Sequence, residues 1–143
     1  MGLDLFAGIP VSDYEAVKPW YERLLGGEPS FLPHATEAVW ELAEHRFVFI
    51  VEDAERAGGT SHTIFVDDLD ARVADIASRG IEPDEHVTYP GKARKTIYRD
   101  ADGNGSVSEA RSTQTDPDTR PPRGKALSPN TIPEPTITQA GQK

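Results

Sequence analysis

The chain has 143 residues and no cysteine, and its 15 basic and 24 acidic residues give a net charge of −9. This length fits one domain, or one domain with a tail, and the missing cysteines exclude disulfides, thiolate zinc sites and a catalytic thiol. The negative charge disfavours binding to nucleic acid or to an anionic membrane surface. Because no membrane-length apolar run and no signal peptide is recognisable, we expect a cytoplasmic protein.

The composition changes at residue 111. Residues 111–143 contain six prolines, six threonines and few apolar side chains, so they cannot bury enough surface to offset the entropy lost on ordering. We therefore predict a folded domain over 1–110 and a disordered tail over 111–143, with a tail docked on the body as the alternative. The tail has a net charge of +2, and the folded part accordingly carries −11.

The first half of the folded part reads as a strand, a helix and three further strands. We predict a strand over 3–11 and then a helix that the capping-box sequence Ser12-Asp13-Tyr14-Glu15 opens and Gly26-Gly27 ends. Apolar residues at helical spacing support this helix, although Pro19 inside it costs up to ~3 kcal/mol. Three short strands should follow over 30–32, 38–42 and 47–52.

The second half repeats this order with an offset of 55 residues. A strand over 61–66 precedes a helix that Asp67-Asp68 caps and Gly80 ends, and further strand-like stretches follow before the turn signal at 100–104. The stretch 105–109 has little apolar alternation, so we predict a weak last strand that leaves an exposed edge. The repeat indicates two modules, about 1–57 and 58–110.

Several short stretches occur in a characteristic order: Val11-Ser12-Asp13, Leu24-Leu25-Gly26, Phe65 to Ala71, Ile81-Glu82-Pro83 and Asp100-Ala101-Asp102-Gly103-Asn104. Together they resemble the vicinal oxygen chelate superfamily, also called the glyoxalase, bleomycin-resistance and dioxygenase superfamily, over about residues 3–104. The resemblance implies an α+β fold of two βαβββ modules that form a curled, barrel-like mixed sheet with helices outside. It also implies a small-molecule or metal site on the concave surface, although a fold alone does not fix chemistry.

The resemblance also indicates where metal-using relatives place their ligands, two histidines and a glutamate. These positions correspond to Phe6, Ser61 and Val107, none of which is a normal ligand for a divalent metal. We therefore predict no metal and no other cofactor. The alternative is a rearranged metal set: His62, Glu52 and Glu109. The histidine of this set should instead point toward the helices and be hydrogen-bonded there, because neighbouring strand residues face opposite sides.

A cleft without metal would bind its ligand through apolar and hydroxyl side chains. Strand positions of the same parity as the missing ligands, with two aromatic residues of inner strands, should line it: Phe6, Trp40, Ser61, Thr63, Phe65 and Tyr98. Such a lining suits a planar or partly apolar molecule, and the acidic body favours a cationic one. For Trp40 and Phe65, packing in the core is the alternative interpretation.

We therefore predict a metal-independent protein that binds a small molecule, related to bleomycin-resistance proteins, and we assign no catalytic residue. The relatives that the resemblance implies are often dimers, so a homodimer is an expected assembly. The sequence leaves open the alternative of an enzyme. It would be a glyoxalase-like lyase, isomerase or dioxygenase that uses a divalent metal held by the rearranged set.

Overall fold

The computed structural model describes residues 2–111 and 136–139. The first module contains β1 (Leu5–Val11), α1 (Tyr14–Leu25), β2 (Phe31–His34), β3 (Glu37–Ala43) and β4 (Arg46–Glu52). The second contains β5 (Ser61–Phe65), α2 (Leu69–Ser78), β6 (Glu85–Tyr89), β7 (Ala93–Arg99) and β8 (Gly105–Arg111), and β9 (Thr136–Gln139) follows it. The α+β class and the two βαβββ modules predicted from the sequence are confirmed.

Each module forms its own sheet. The strand orders are β1-β4-β3-β2 and β5-β8-β7-β6-β9. In both sheets the first and last strands of the module pair in parallel, and the other neighbouring strands are antiparallel. Among the described residues no strand of one sheet pairs with the other sheet, so the strands do not close into a barrel. Neither helix in this part of the chain is long and apolar enough to cross a bilayer.

Helix α1 begins one residue later than the capping box predicts. The N-cap is Asp13, whose carboxylate accepts a hydrogen bond from a backbone N–H of the first turn at 3.2 Å. The hydroxyl of Ser12 donates instead to the carboxylate of Asp102 in the second module. The helix continues through Pro19 and ends, as predicted, at Gly26, whose φ of 96° is a left-handed conformation that glycine adopts without strain.

The prediction of a weak last strand that leaves an exposed edge is wrong. β8 lies between β5 and β7 and pairs with both of them over most of its length. Its two serines are buried on the helix-covered face. The hydroxyl of Ser106 hydrogen-bonds His62 in β5, and the hydroxyl of Ser108 accepts from Arg72 in α2. Buried hydroxyl groups with partners are tolerated in a central strand, and they hide the apolar alternation by which such a strand is normally recognised.

Part of the predicted disordered tail forms a strand. β9 pairs antiparallel with β6 and extends the second sheet by one strand. Its sequence, Thr-Ile-Thr-Gln, is rich in β-branched residues, which favour strands, and it covers an edge that β6 would otherwise expose. The structure therefore differs from the prediction at these four residues. The remaining tail residues, 112–135 and 140–143, lie outside the described residues.

The two modules share one hydrophobic core on the sides of the sheets that the helices cover. It is built from alternate strand residues and the inner sides of both helices: Ile9, Val11, Tyr14, Val17, Tyr21, Leu24, Ala38, Trp40, Val48, Ile50, Ile76, Ile81 and Tyr98. The other alternate residues lie on the face that no helix covers, here called the open face of each sheet. The open faces carry Phe6, Phe31 and Phe47 in the first sheet and Ser61, Thr63 and Phe65 in the second.

Candidate functional site

A buried polar network joins the two modules at the turn that follows β7. The side chain of Asn104 donates from Nδ2 to the carbonyl oxygen of Pro10 at 2.8 Å, and its Oδ1 accepts from the backbone N–H of Thr60 at 3.2 Å. The hydroxyl of Tyr21 donates to Asp100 at 2.7 Å, and burial together with this hydrogen bond raises the pKa of Tyr21. The turn that the sequence predicts is therefore a structural connection between modules.

The residues at the expected metal positions do not fit a metal ion. Phe6 stacks on Phe47 with the ring centroids 4.3 Å apart, Ser61 is exposed, and Val107 is an apolar side chain buried in β8. Phenylalanine and valine provide no donor atom for a divalent cation. Within the part of the chain that the structure describes, no group of three or more histidine or acidic residues could hold a metal ion.

The rearranged set does not converge either. His62 lies on the helix-covered face, as strand parity predicts, with its Nε2 2.8 Å from the hydroxyl of Ser106. Burial lowers the pKa of His62, so the ring is neutral at pH 7. Glu52 accepts a hydrogen bond from the backbone of Tyr14 at 3.2 Å, whereas Glu109 lies on the open face of β8. Side chains on opposite faces of one sheet cannot bind the same ion.

A cavity of about 590 Å³ lies between the modules, and we call it the inter-module cavity. β1, β3, β4 and the end of α1 bound it on one side, and β5 and α2 bound it on the other. Its walls are mostly apolar: Leu5, Leu25, Leu42, Val48, Ile64 and Val66. Both the volume and the apolar walls are typical of sites for small organic molecules. A second cavity of about 600 Å³ lies beside residues 67–70, and its lining of three aspartates and two arginines suits water better than an apolar molecule.

Three of the six predicted ligand-binding residues line this cavity: Trp40, Thr63 and Phe65. The other three lie elsewhere. Phe6 is on the open face against Phe47, Ser61 is at the opposite end of β5 from Phe65, and Tyr98 is fully buried in the shared core. The structure thus brings together half of the predicted set, and it does so between the modules.

The two aromatic residues of the inner strands, Trp40 and Tyr98, face the helices and do not project from the open faces. In β3 and β7 their sequence neighbours, such as Glu41 and Ile97, take the open-face positions. The indole N–H of Trp40 donates to the carbonyl oxygen of Gly27 at 2.9 Å. Its only polar atom is therefore occupied, and the ring both packs in the core and forms a flat apolar wall of the cavity.

Arg72 lines the cavity, although no sequence motif singled it out. It lies in α2, where its Nε donates to the hydroxyl of Ser108 at 2.8 Å. Burial lowers the pKa of Arg72 because a desolvated charge is less favourable. Helical spacing is the signal that could have identified it, because Arg72 is three residues after Leu69 and four before Ile76, and both of these are buried.

The sequence and the fold agree with those of a known family. Residues 2–106 match the model of the glyoxalase/bleomycin resistance protein/dioxygenase superfamily, so the chain belongs to this family, as the resemblance in its sequence indicates. A solved glyoxalase/bleomycin resistance protein from Catenulispora acidiphila DSM 44928 is 45% identical, with a TM-score of 0.74, and the match covers 76% of this chain and 98% of that chain.

More distant solved structures share the fold. A lactoylglutathione lyase from Agrobacterium tumefaciens is 15% identical with a TM-score of 0.58, over 74% of this chain and 91% of that chain. A glyoxalase/bleomycin resistance protein from Albidiferax ferrireducens T118 is 20% identical with a TM-score of 0.55, over 75% of this chain and 97% of that chain. At these identities the likeness shows the fold alone. No curated protein matches the chain.

Proposed function

We propose that this protein binds a small organic molecule in the inter-module cavity and needs no metal ion to do so. The observation that carries the proposal is the cavity itself, an open cleft of about 590 Å³ lined by mostly apolar side chains and a few polar groups. The residue types at the chelating positions support the absence of a metal requirement, because the side chains of Phe6 and Val107 have no atom that could coordinate an ion.

Flat aromatic side chains favour a planar ligand. Rings of Trp40, Phe47 and Phe65 line the cavity, and stacking or edge-to-face contacts stabilise an aromatic guest beyond the area it buries. The lining gives no support to the cationic ligand that the overall charge suggests. Its charged residues are two arginines, Arg46 and Arg72, and one acid, Glu41.

A cavity-filling variant tests this assignment. Leu42→Trp places a large ring at a wall residue that is 37% exposed and so leaves the core intact. Leu32→Trp is the matched control, because Leu32 is 58% exposed on β2 and does not line the cavity. Planar aromatic compounds of each charge are screened by thermal shift and titrated by calorimetry. We expect the compounds that bind the unchanged protein to lose about tenfold or more in affinity in Leu42→Trp alone. Equal binding to both variants, or no binding at all, would contradict the proposal.

Metal analysis distinguishes this proposal from the enzymatic alternative of a metal-dependent lyase, isomerase or dioxygenase. The full chain is purified without a histidine tag, and zinc, nickel, manganese and iron are quantified. We expect no metal in a fixed ratio to protein, and we expect chelator treatment to leave ligand binding unchanged. Stoichiometric metal that disappears from a His62→Ala variant would favour the enzyme instead.

We also propose that the open faces associate in a homodimer. Three phenylalanines of these faces are between 45% and 60% exposed: Phe6, Phe31 and Phe65. Phe6 and Phe31 both contact the ring of Phe47 on the open face of the first sheet, and exposed apolar side chains grouped in this way are typical of association sites. Analytical ultracentrifugation should show a dimer that Phe31→Ser converts to a monomer. Leu32→Ser, on the opposite face of the same strand, should not do so. A monomeric unchanged protein would exclude this assembly.

A further inference from the structure

Arg72 is a cation held at the inter-module cavity without an anionic partner. Among residues 2–111, whose side chains the structure describes, no carboxylate forms an ion pair with its guanidinium. The three acids within one helical turn are already engaged, and one of them, Asp70, pairs with Arg94 at 3.2 Å. Asp68 accepts a hydrogen bond from the backbone N–H of Ala71 as the N-cap of α2, and Asp75 pairs with Arg79 at 2.7 Å.

This guanidinium keeps its charge and most of its hydrogen-bonding capacity. Arginine stays protonated in proteins and has five N–H donors, of which one is directed to Ser108. Burial lowers the pKa of Arg72, and the opposing effects of Tyr98 and Asp75 offset this only in part, so full compensation of the desolvated charge is missing. An oxyanion beside it would supply that compensation, and a carboxylate matches the planar guanidinium with two parallel hydrogen bonds.

The surroundings of Arg72 disfavour a cation. Its neighbour His62 is neutral at pH 7, because both burial and the charge of Arg72 lower the pKa of the imidazole. The other charged residues of the lining, Arg46 and Glu41, are both exposed and of opposite sign. A positively charged ligand would therefore meet like charge at the buried end of the site, whereas an anionic ligand would be attracted there.

We infer that the inter-module cavity takes a molecule with a planar apolar body and a carboxylate group, and that Arg72 binds the carboxylate while the apolar walls hold the body. This inference rests on the proposed function and specifies its class of ligand. Leu42, Val48 and Ile64 provide the apolar contacts, and the ring of Trp40 provides the flat wall.

Three probes of the same shape and different charge test the inference on the full chain by isothermal titration calorimetry. They are 2-naphthoate, the neutral 2-naphthamide and the cationic 2-naphthylmethylammonium. We expect naphthoate to bind about tenfold or more tightly than the other two, as a charge-assisted pair in a partly buried site should provide. Arg72→Met keeps the apolar stem and should reduce naphthoate affinity to that of naphthamide, while naphthamide affinity stays unchanged. Arg46→Met, which removes the exposed charge of the same cavity, should leave the preference for naphthoate in place.

The possible outcomes distinguish a failure of this inference from a failure of the proposed small-molecule binding. If naphthamide binds as well as naphthoate and Arg72→Met changes neither, the charge assignment is overturned and the cavity remains a binding site. If none of the three probes binds, the proposed function itself fails. Should Arg72→Met not fold, Arg72→Lys replaces it. That variant keeps the charge without the planar fork and should weaken naphthoate binding without abolishing the preference for it.

Discussion

Asn104→Ala removes the side chain that connects the two modules. The amide is 1% exposed and makes five hydrogen bonds, to groups that precede β5, to the end of β1 and to Asp100. An alanine at this position leaves three backbone groups without these partners: the N–H groups of Gly58 and Thr60 and the carbonyl oxygen of Pro10. Asp100 keeps the hydroxyl of Tyr21 as a donor.

The expected loss of stability follows from these unsatisfied groups. Each buried polar group that loses its partner costs about 1–3 kcal/mol, and water entering the vacated space recovers part of this. We therefore expect Asn104→Ala to lower the free energy of unfolding by about 3–5 kcal/mol, out of the roughly 5–15 kcal/mol of a typical domain. Ser12→Ala is the matched control. It removes an exposed hydroxyl that also bonds across the modules, to Asp102, and should cost about 0.5–1 kcal/mol because water replaces that bond.

Urea unfolding of the full chain, followed by circular dichroism and by tryptophan fluorescence, measures both losses. Trp20 and Trp40 lie in the first module, whereas circular dichroism reports on both modules. A single transition in the unchanged protein that separates into two in Asn104→Ala would show that this residue couples the modules. The reasoning is refuted if Asn104→Ala costs less than about 1 kcal/mol, or no more than Ser12→Ala does.

Three further predictions concern local conformation and pH. Gly58→Ala should cost about 2–4 kcal/mol and Gly91→Ala about 1 kcal/mol in urea unfolding. Both residues have positive φ, of 98° and 72°. A Cβ at residue 58 would lie 2.5 Å from a backbone oxygen, whereas a Cβ at residue 91 would meet nothing within 4 Å. Equal losses of stability in the two variants would contradict this reasoning. Asp68→Ala should cost about 1 kcal/mol and Asp67→Ala clearly less, because the Asp68 carboxylate is the one that caps α2; thermal unfolding compares them. Burial lowers the pKa of the His62 imidazole in the folded protein, so the unfolded chain binds a proton at this residue more readily. The stability that is present above about pH 6.5 is therefore lost as the pH falls, by at most about 1.4 kcal/mol per pH unit. His62→Gln should flatten this slope in urea midpoints measured from pH 5 to 7.5, and an unchanged slope would count against the assignment.

The fold was predictable where the signals act over a few residues. The helix end at Gly26, which adopts a left-handed conformation, and the acidic residues at the helix starts are readable from the local sequence. A last strand was predictable, but the central position of β8 was not, because the hydroxyls on its buried face are satisfied by α2 and β5. The side chains of Arg72 and His62 that do this are 36 and 44 residues away from Ser108 and Ser106 in the chain. A local sequence pattern cannot indicate hydrogen bonds between residues so far apart in the chain.

The candidate site was less predictable than the fold. Strand parity correctly places Phe6 and Ser61 on open faces and His62 toward the helices. Aromatic character alone suggested the cleft for Trp40 and Tyr98. Both side chains lie on the helix-covered faces and pack in the core, and of the two only Trp40 also lines the cavity. The inter-module cavity depends on how the modules pack against each other. That packing is fixed by contacts such as the one between Tyr21 and Asp100, 79 residues apart in sequence.

The net charge of the folded part is a poor guide to the charge of a molecule that the inter-module cavity would bind. The folded part carries −11, but several of its acidic groups serve the structure itself, with Asp13 and Asp68 as helix caps and Asp100 and Asp102 in the network between modules. Exposed charges farther than about 8 Å are largely screened at physiological ionic strength. A charge about 4 Å from a bound group, in contrast, contributes on the order of 4 kcal/mol at the effective dielectric of a protein surface. Charges that line the site therefore outweigh the average. At the inter-module cavity they are the two positive charges of Arg46 and Arg72 and the one negative charge of Glu41.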